Sequence, residues 1–292
     1  GAVAAIEYMK GRLVESNADR LGRIESRETV VVGVNRWTEA APSPLTAGDG
    51  SIMMADADAE RDQLERLAAW RNARDPVAVK TALDALRHAA QTGANVMPAS
   101  IAAAKAGVTT GEWGAVVRAA FGEYRAPTGV SRNPSNRTEG LEPIREAVSV
   151  LSAKLGRQLK FLVGKPGLDG HSNGAEQIAA RARDCGMDIH YEGIRLTPAE
   201  IVAAAVDQDA HVIGLSILSG SHIPLITETL DRMRAAGLGD IPMVVGGIIP
   251  EEDAVRLRAM GVAAVYTPKD FELNRIMMDI VGLVDRQAVA AE

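Results

Sequence analysis

The sequence predicts an α/β protein whose C-terminal half is a flavodoxin-like five-stranded parallel sheet, preceded by a helical linker unit. One observation carries this, together with what it implies. From Ile144 onward, short apolar runs alternate with stretches of helical spacing, five strands against five helices after an opening helix. Strict alternation makes the strands parallel and places helices on both faces, because each crossover is right-handed and carries a helix.

The elements follow in order. Ala2 to Ser26 has Ile6, Met9, Leu13, Leu21 and Ile24 near helical spacing, and Thr29–Val34 reads as a short buried strand. One helix and one strand cannot bury both their faces, so this piece needs a partner. The chain opens on Gly1 with the helical pattern already under way, which reads as part of something longer. Ala41-Pro42-Ser43-Pro44 and Gly48-Asp49-Gly50 mark a linker running to Ala55. Helical spacing returns at Asp58–Arg74 and after Pro76, and Pro98 and Thr109 look like two further helix starts. A second linker spans Pro127–Pro143; its Asn136-Arg137-Thr138 carries no glycosylation meaning in a cytoplasmic chain. After a helix to Leu155, the expected strands are Leu159–Gly164, Met187–Tyr191, Ala210–Ser216, Met243–Gly246 and Ala263–Tyr266. Between and after them come helices Ser172–Cys185, Pro198–Asp207, His222–Ala236, Pro250–Met260 and Asp270–Asp285. The expected domains are residues 1–37, 38–143 and 144–287, with a tail over 288–292.

The totals exclude several classes. A length of 292 residues suits about two domains. No apolar stretch of about 18 residues and no signal segment appear, so a cytoplasmic location without a membrane is expected. A net charge of −6 and a pI near 5.5 argue against a nucleic-acid partner. Lone Cys185 excludes an internal disulfide and a cysteine zinc cluster.

Ligands of such sheets bind at the carboxyl ends of the strands, so the loops after Gly164, Ser216, Gly246 and Tyr266 are the ones to read. The first holds Lys165-Pro166-Gly167-Leu168-Asp169-Gly170-His171-Ser172-Asn173-Gly174. Histidine is a common transition-metal ligand, and its second nitrogen usually donates to a carboxylate that fixes the tautomer. Asp169 is placed to be that carboxylate, and Lys165 to pair with it. Gly167, Gly170 and Gly174 would let the backbone approach a bulky group. The plainer alternative is a histidine capping the next helix. Lys165 is followed by Pro166, so this is no phosphate-binding loop, and no dinucleotide glycine pattern follows the strand. Ser216-Ile217-Leu218-Ser219-Gly220-Ser221-His222, Gly246-Gly247 and Tyr266-Thr267-Pro268-Lys269 put small or polar residues at the other strand ends, where one broad ligand could lie. Each could instead be an ordinary cap or turn. His88, His190 and His211 read as structural, none having a carboxylate arranged like Asp169. No zinc-protease histidine pair and no Gly-x-Ser-x-Gly elbow occur.

Taken together, Asp169-x-His171-x-x-Gly174, Ser216-x-Leu218 and Gly246-Gly247 resemble the cobalamin-binding domain of the adenosylcobalamin-dependent acyl-CoA mutases, the methylmalonyl-CoA mutase family, over about residues 159–285. The resemblance implies that His171 is the lower axial ligand of cobalt, with Asp169 its hydrogen-bond partner and Lys165 beyond. It implies that Ser216, Leu218, Gly246 and Gly247 border the nucleotide tail. Gly170, Ser172, Gly174, Gly220, Tyr266 and Thr267 complete the expected cofactor set. Residues 1–37, ending Val32-Gly33-Val34-Asn35-Arg36-Trp37, look like the last part of the family's TIM barrel. Trp37-Thr38-Glu39-Ala40-Ala41-Pro42-Ser43-Pro44 and Thr267-Pro268-Lys269-Asp270-Phe271 look most like the ethylmalonyl-CoA members; methylmalonyl-CoA members typically carry a Gly-Pro-Gly-Thr type of loop at the latter position. The implied reaction is a radical carbon-skeleton rearrangement begun by homolysis of the cobalt–carbon bond, converting ethylmalonyl-CoA to methylsuccinyl-CoA. The implied partners are the rest of the barrel, which holds the acyl-CoA, and a second copy in a homodimer; without that barrel the chain would bind cofactor but not turn over. The alternatives are a stand-alone cobalamin module for methyl transfer or sensing, and a mutase for methylmalonyl-CoA or isobutyryl-CoA. A cofactor-free signalling domain is disfavoured, since Gly164 and Lys165 stand where it would carry acidic residues.

Overall fold

A computed structural model describes residues 5–39, 58–124 and 140–290. The chain divides into two compact units, one drawn from Gly1–Ala40 and Ala126–Glu292, the other Ala41–Arg125. The first linker, and the second one including Asn136-Arg137-Thr138 as far as residue 139, lie outside the described residues.

The larger unit is built on β1 (Lys160–Gly164), β2 (Asp188–Tyr191), β3 (Val212–Ile217), β4 (Met243–Gly247) and β5 (Ala264–Tyr266). The strands are all parallel in the order β2-β1-β3-β4-β5, the flavodoxin-like order expected. Central strands buried on both faces should read as continuous apolar runs, and Phe161-Leu162-Val163 and Val212-Ile213 do. Successive side chains of β1 point to opposite faces and so seed two cores. Phe161 and Val163 pack beneath α6 (Glu142–Lys154), α7 (Asn173–Asp184) and α11 (Leu273–Ala290). Leu162 packs with Ile213 and Leu215 beneath α8 (Pro198–Asp207), α9 (His222–Ala235) and α10 (Glu251–Met260). Each fully buried side chain of this kind contributes about 1.5–3 kcal/mol of transfer free energy. The chain reverses its direction of winding between β1 and β3, which opens a crevice at their carboxyl ends.

The opening helix α1 (Ile6–Glu25) finds its partner within this same unit. It buries Val14 and Ile24, and five hydrogen bonds fasten it to α7, to the Ser172 that precedes α7, and to the start of α11. Lys10 Nζ donates to Glu176 at 2.6 Å and to the Ser172 hydroxyl at 3.1 Å, and Gln177 Nε2 donates to the Val14 carbonyl at 3.1 Å. Glu25 accepts from Arg181 at 3.3 Å and from the Leu273 backbone N–H at 2.8 Å.

The stretch Thr29–Val34 is not a strand. It forms a turn with a single bridge between Val32 and Arg36, and Val30 and Val32 are exposed. Asn35 imposes the turn: its side chain accepts from the Val31 N–H and donates to the Ile24 and Thr29 carbonyls, all at 2.8 Å. A β-branched run without a ladder partner has nothing to hold it extended.

The smaller unit consists of α2 (Ala59–Ala73), α3 (Pro76–Thr92), α4 (Val96–Lys105) and α5 (Thr110–Phe121). Asp75 and Thr109 cap α3 and α5, the latter as a reciprocal capping box with Glu112. The start of α4 is set by Asn95, whose side chain accepts from the Met97 N–H; Pro98 lies inside the first turn, where its missing N–H costs nothing. No helix among the described residues is long and apolar enough to cross a membrane.

Candidate cofactor site at the carboxyl edge of the sheet

The loop after β1 is organised by Asp169. Its Oδ1 accepts from His171 Nδ1 at 2.6 Å and from the His171 backbone N–H at 3.0 Å. Its Oδ2 accepts from Lys165 Nζ at 3.0 Å and from the Leu218 backbone N–H at 3.1 Å. The carboxylate is 3% exposed, yet four donors surround it. Burial pushes its pKa up, but the His171 N–H, the His171 ring and Lys165 outweigh burial and hold it well below the usual carboxylate range. Lys165 is fully buried and reaches across the crevice to β3, donating to the Ser216 carbonyl at 2.9 Å and its hydroxyl at 3.3 Å. Its burial pushes the ammonium pKa down, against the pull of Asp169.

This arrangement dictates the chemistry of His171. An ionised carboxylate can only accept, so in the neutral ring Nδ1 carries the proton and Nε2 keeps its lone pair. The side chain is 80% exposed. His171 therefore presents an outward-facing nitrogen ligand whose tautomer is set from a buried charge. The loop reaches this position through Gly167, whose φ of +83° few other residues adopt.

Beside this loop lies a largely apolar cavity of about 470 Å³. It runs between the sheet and the helices on the Phe161 face, and seven of the sequence-predicted residues line it: Gly174, Ser216, Leu218, Gly246, Gly247, Tyr266 and Thr267. A β-carbon on Gly247 would sit 1.8 Å from the Ile217 carbonyl oxygen, so the close approach of β3 and β4 requires glycine there. A β-carbon on Gly246 would meet nothing within 4 Å, and the empty space belongs to the cavity. The Tyr266 hydroxyl is buried with no partner among the described residues, and burial pushes its pKa up. Thr267 donates to Asp270 through its backbone N–H at 2.9 Å and its hydroxyl at 3.3 Å, which fixes the loop after β5.

The remaining predicted residues lie elsewhere. Lys165, Asp169 and His171 form the adjoining cluster, and Gly170 passes beside the Arg195 guanidinium. Ser172 is engaged by Lys10, and Gly220 makes a left-handed turn away from the cavity. One histidine departs from the sequence reading, and another has a partner on which that reading was silent. His190 does have an aspartate two residues before it, Asp188, at 3.4 Å, on the edge strand β2. His222 Nε2 lies 2.8 Å from Asp253 Oδ2, a pairing across 31 residues that spacing could not reveal. Sequence reasoning also missed the cavity wall formed by Asn17, Arg20, Leu21, Ile24, Val31 and Val34, because nothing in the pattern of α1 says which surface it covers.

A carboxylate-oriented histidine beside a deep apolar cavity, at the switch point of a five-stranded parallel sheet, defines a cofactor-binding α/β domain. Residues 159–270 match the family profile described as "B12 binding domain", and residues 1–123 match that of "Methylmalonyl-CoA mutase". An ethylmalonyl-CoA mutase of Cereibacter sphaeroides is 76% identical over 100% of this chain and 45% of its own length. That of Methylorubrum extorquens is 56% identical over 98% of this chain and 42% of its own. A methylmalonyl-CoA mutase of Cereibacter sphaeroides is 34% identical over 89% of this chain and 36% of its own. The chain belongs to the adenosylcobalamin-dependent acyl-CoA mutase family, and it spans less than half the length of these curated relatives.

Proposed function

We propose that this chain is the cofactor-carrying C-terminal part of an adenosylcobalamin-dependent acyl-CoA mutase, and that the whole protein rearranges ethylmalonyl-CoA to methylsuccinyl-CoA. The observation that carries the reading is His171: a single exposed imidazole with its proton fixed on Nδ1 by a buried carboxylate. Among the described residues no three His, Cys, Asp or Glu side chains gather around one metal position. One protein nitrogen suits a metal that brings its other ligands with it, as cobalt in a corrin does. The cavity also fits: it is apolar enough for an aromatic nucleotide base, glycine at 246 leaves it open, and the Tyr266 hydroxyl offers a donor that lacks a partner.

Bound adenosylcobalamin supplies a cobalt–carbon bond whose homolysis starts radical chemistry, and the protein supplies binding and orientation. In this reading Asp169 holds the His171 ring in place and raises its basicity, while Lys165 keeps Asp169 ionised and ties the loop to β3. Ser216, Leu218, Gly246, Gly247 and Thr267 line the space for the nucleotide tail. The ethylmalonyl-CoA assignment rests on the 76% and 56% identities, against 34% for a methylmalonyl-CoA enzyme. The match of residues 1–123 to the mutase profile supports a mutase over a stand-alone cobalamin module, and we place residues 1–37 at the end of its catalytic barrel. These 292 residues would then bind cofactor without turning over. The test is the absorption spectrum on adding adenosylcobalamin. Wild type should give the spectrum of histidine-ligated cobalamin with its own base displaced, and His171→Ala should not; the same spectrum from both would refute the assignment.

A further inference from the structure

The cavity beside His171 is not closed by the cobalamin-binding region alone. The sheet, α7 and α11 give part of its lining; another part is given by Asn17, Arg20, Leu21 and Ile24 of α1 and by Val31 and Val34 of the turn that follows. These six residues lie outside residues 159–270, within the stretch that matches the mutase profile instead. They are held firmly. Lys10 and Gln177 fasten the first half of α1 to α7, and Glu25 fastens its end to Arg181 and to the first residue of α11. Asn35 sets the turn that carries Val31 and Val34.

Chemistry distinguishes this wall from the rest. Two charged side chains line the cavity among the described residues, Asp270 and Arg20. Asp270 is occupied by Thr267. Arg20 is exposed at the cavity and has no ion-pair partner among the described residues. An apolar cavity with one uncommitted guanidinium at its edge suits a ligand that is aromatic at one end and anionic at the other. The nucleotide tail of cobalamin, a benzimidazole joined to a phosphodiester, has that chemistry.

We propose that α1 and the turn after it form the outer wall of the nucleotide-tail cavity, with Leu21 and Ile24 against the base and Arg20 as the counter-charge of the phosphodiester. The proposal rests on the cobalamin reading above. It makes the segment a determinant of tail binding, so cofactor seating and the position of the preceding mutase region are coupled through α1.

The test compares adenosylcobalamin with adenosylcobinamide, which has the same corrin and adenosyl group but no nucleotide, on the full 292-residue chain. Leu21→Trp fills the cavity from the wall and should weaken adenosylcobalamin by roughly tenfold while leaving adenosylcobinamide unchanged. Arg20→Met, at an exposed position, should weaken adenosylcobalamin by roughly fivefold at low salt, again sparing adenosylcobinamide, with the difference shrinking at high salt. Unchanged adenosylcobalamin binding in both variants, or equal losses for the two ligands, overturns the wall while leaving the cobalamin reading standing. Wild type that binds neither ligand overturns the cobalamin reading and the wall with it.

Discussion

Lys165 Nζ lies 3.0 Å from Asp169 Oδ2 with both side chains shut off from solvent, so the charge that orients His171 is itself neutralised inside the protein. Removing one partner of such a pair strands the other. Lys165→Met should therefore cost about 3–5 kcal/mol in urea unfolding, because it leaves Asp169 buried without its counter-ion. Adding Asp169→Asn should recover part of that loss. Asp169→Asn alone should weaken adenosylcobalamin binding by about 10–100-fold, since the ring is no longer held in one tautomer.

The two adjacent glycines of β4 should behave oppositely. Gly247→Ala forces a β-carbon against the Ile217 carbonyl and should destabilise by more than about 4 kcal/mol, or prevent folding, as read by circular dichroism during thermal unfolding. Gly246→Ala meets no atom and should leave stability within about 1 kcal/mol of wild type. Its methyl group occupies ligand space, however, and should weaken adenosylcobalamin by roughly tenfold in the same spectral titration.

His211 gives the fold an acid-sensitive point away from the site. Its Nδ1 accepts the Lys160 N–H at 2.9 Å, at the start of β1, and burial, with Arg157 and Lys160 adding to it, pushes its pKa down to about 4. The unfolded chain, with an ordinary value of 6.5, binds the proton first, so stability rises with pH between the two values. The contribution is complete above about pH 6.5 and lost as pH falls to about 4, by up to roughly 3 kcal/mol. Asp169 acts lower: its depressed pKa stabilises above about pH 3.9 and is lost only as pH falls below that. Urea midpoints measured from pH 7 to pH 4 should fall for wild type and stay flatter for His211→Asn.

The sheet was legible because central parallel strands are buried on both faces and announce themselves as apolar runs; Pro198–Asp207 matches residue for residue and β1 within one. The histidine loop was legible because both ends of the His171–Asp169 bond lie within three residues. Contacts made across long separations were not. The Lys165 bond to the Ser216 carbonyl spans 51 residues, and that from Lys10 to Glu176 spans 166, with no periodicity to betray either. Thr29–Val34 misled because β-propensity is a preference for a pleated, half-buried surface, and Asn35 offered the backbone a local alternative.

The central claim is that a histidine nitrogen of this chain ligates cobalt. The most direct measurement is the electron paramagnetic resonance spectrum of the protein loaded with cob(II)alamin, after growth on histidine bearing the heavy nitrogen isotope at Nε2. If His171 is the ligand, the three-line splitting from ordinary nitrogen becomes a two-line splitting, and His171→Ala abolishes the change. A splitting that stays three-line in the labelled protein would mean that the cofactor's own base remains on cobalt, contradicting the account.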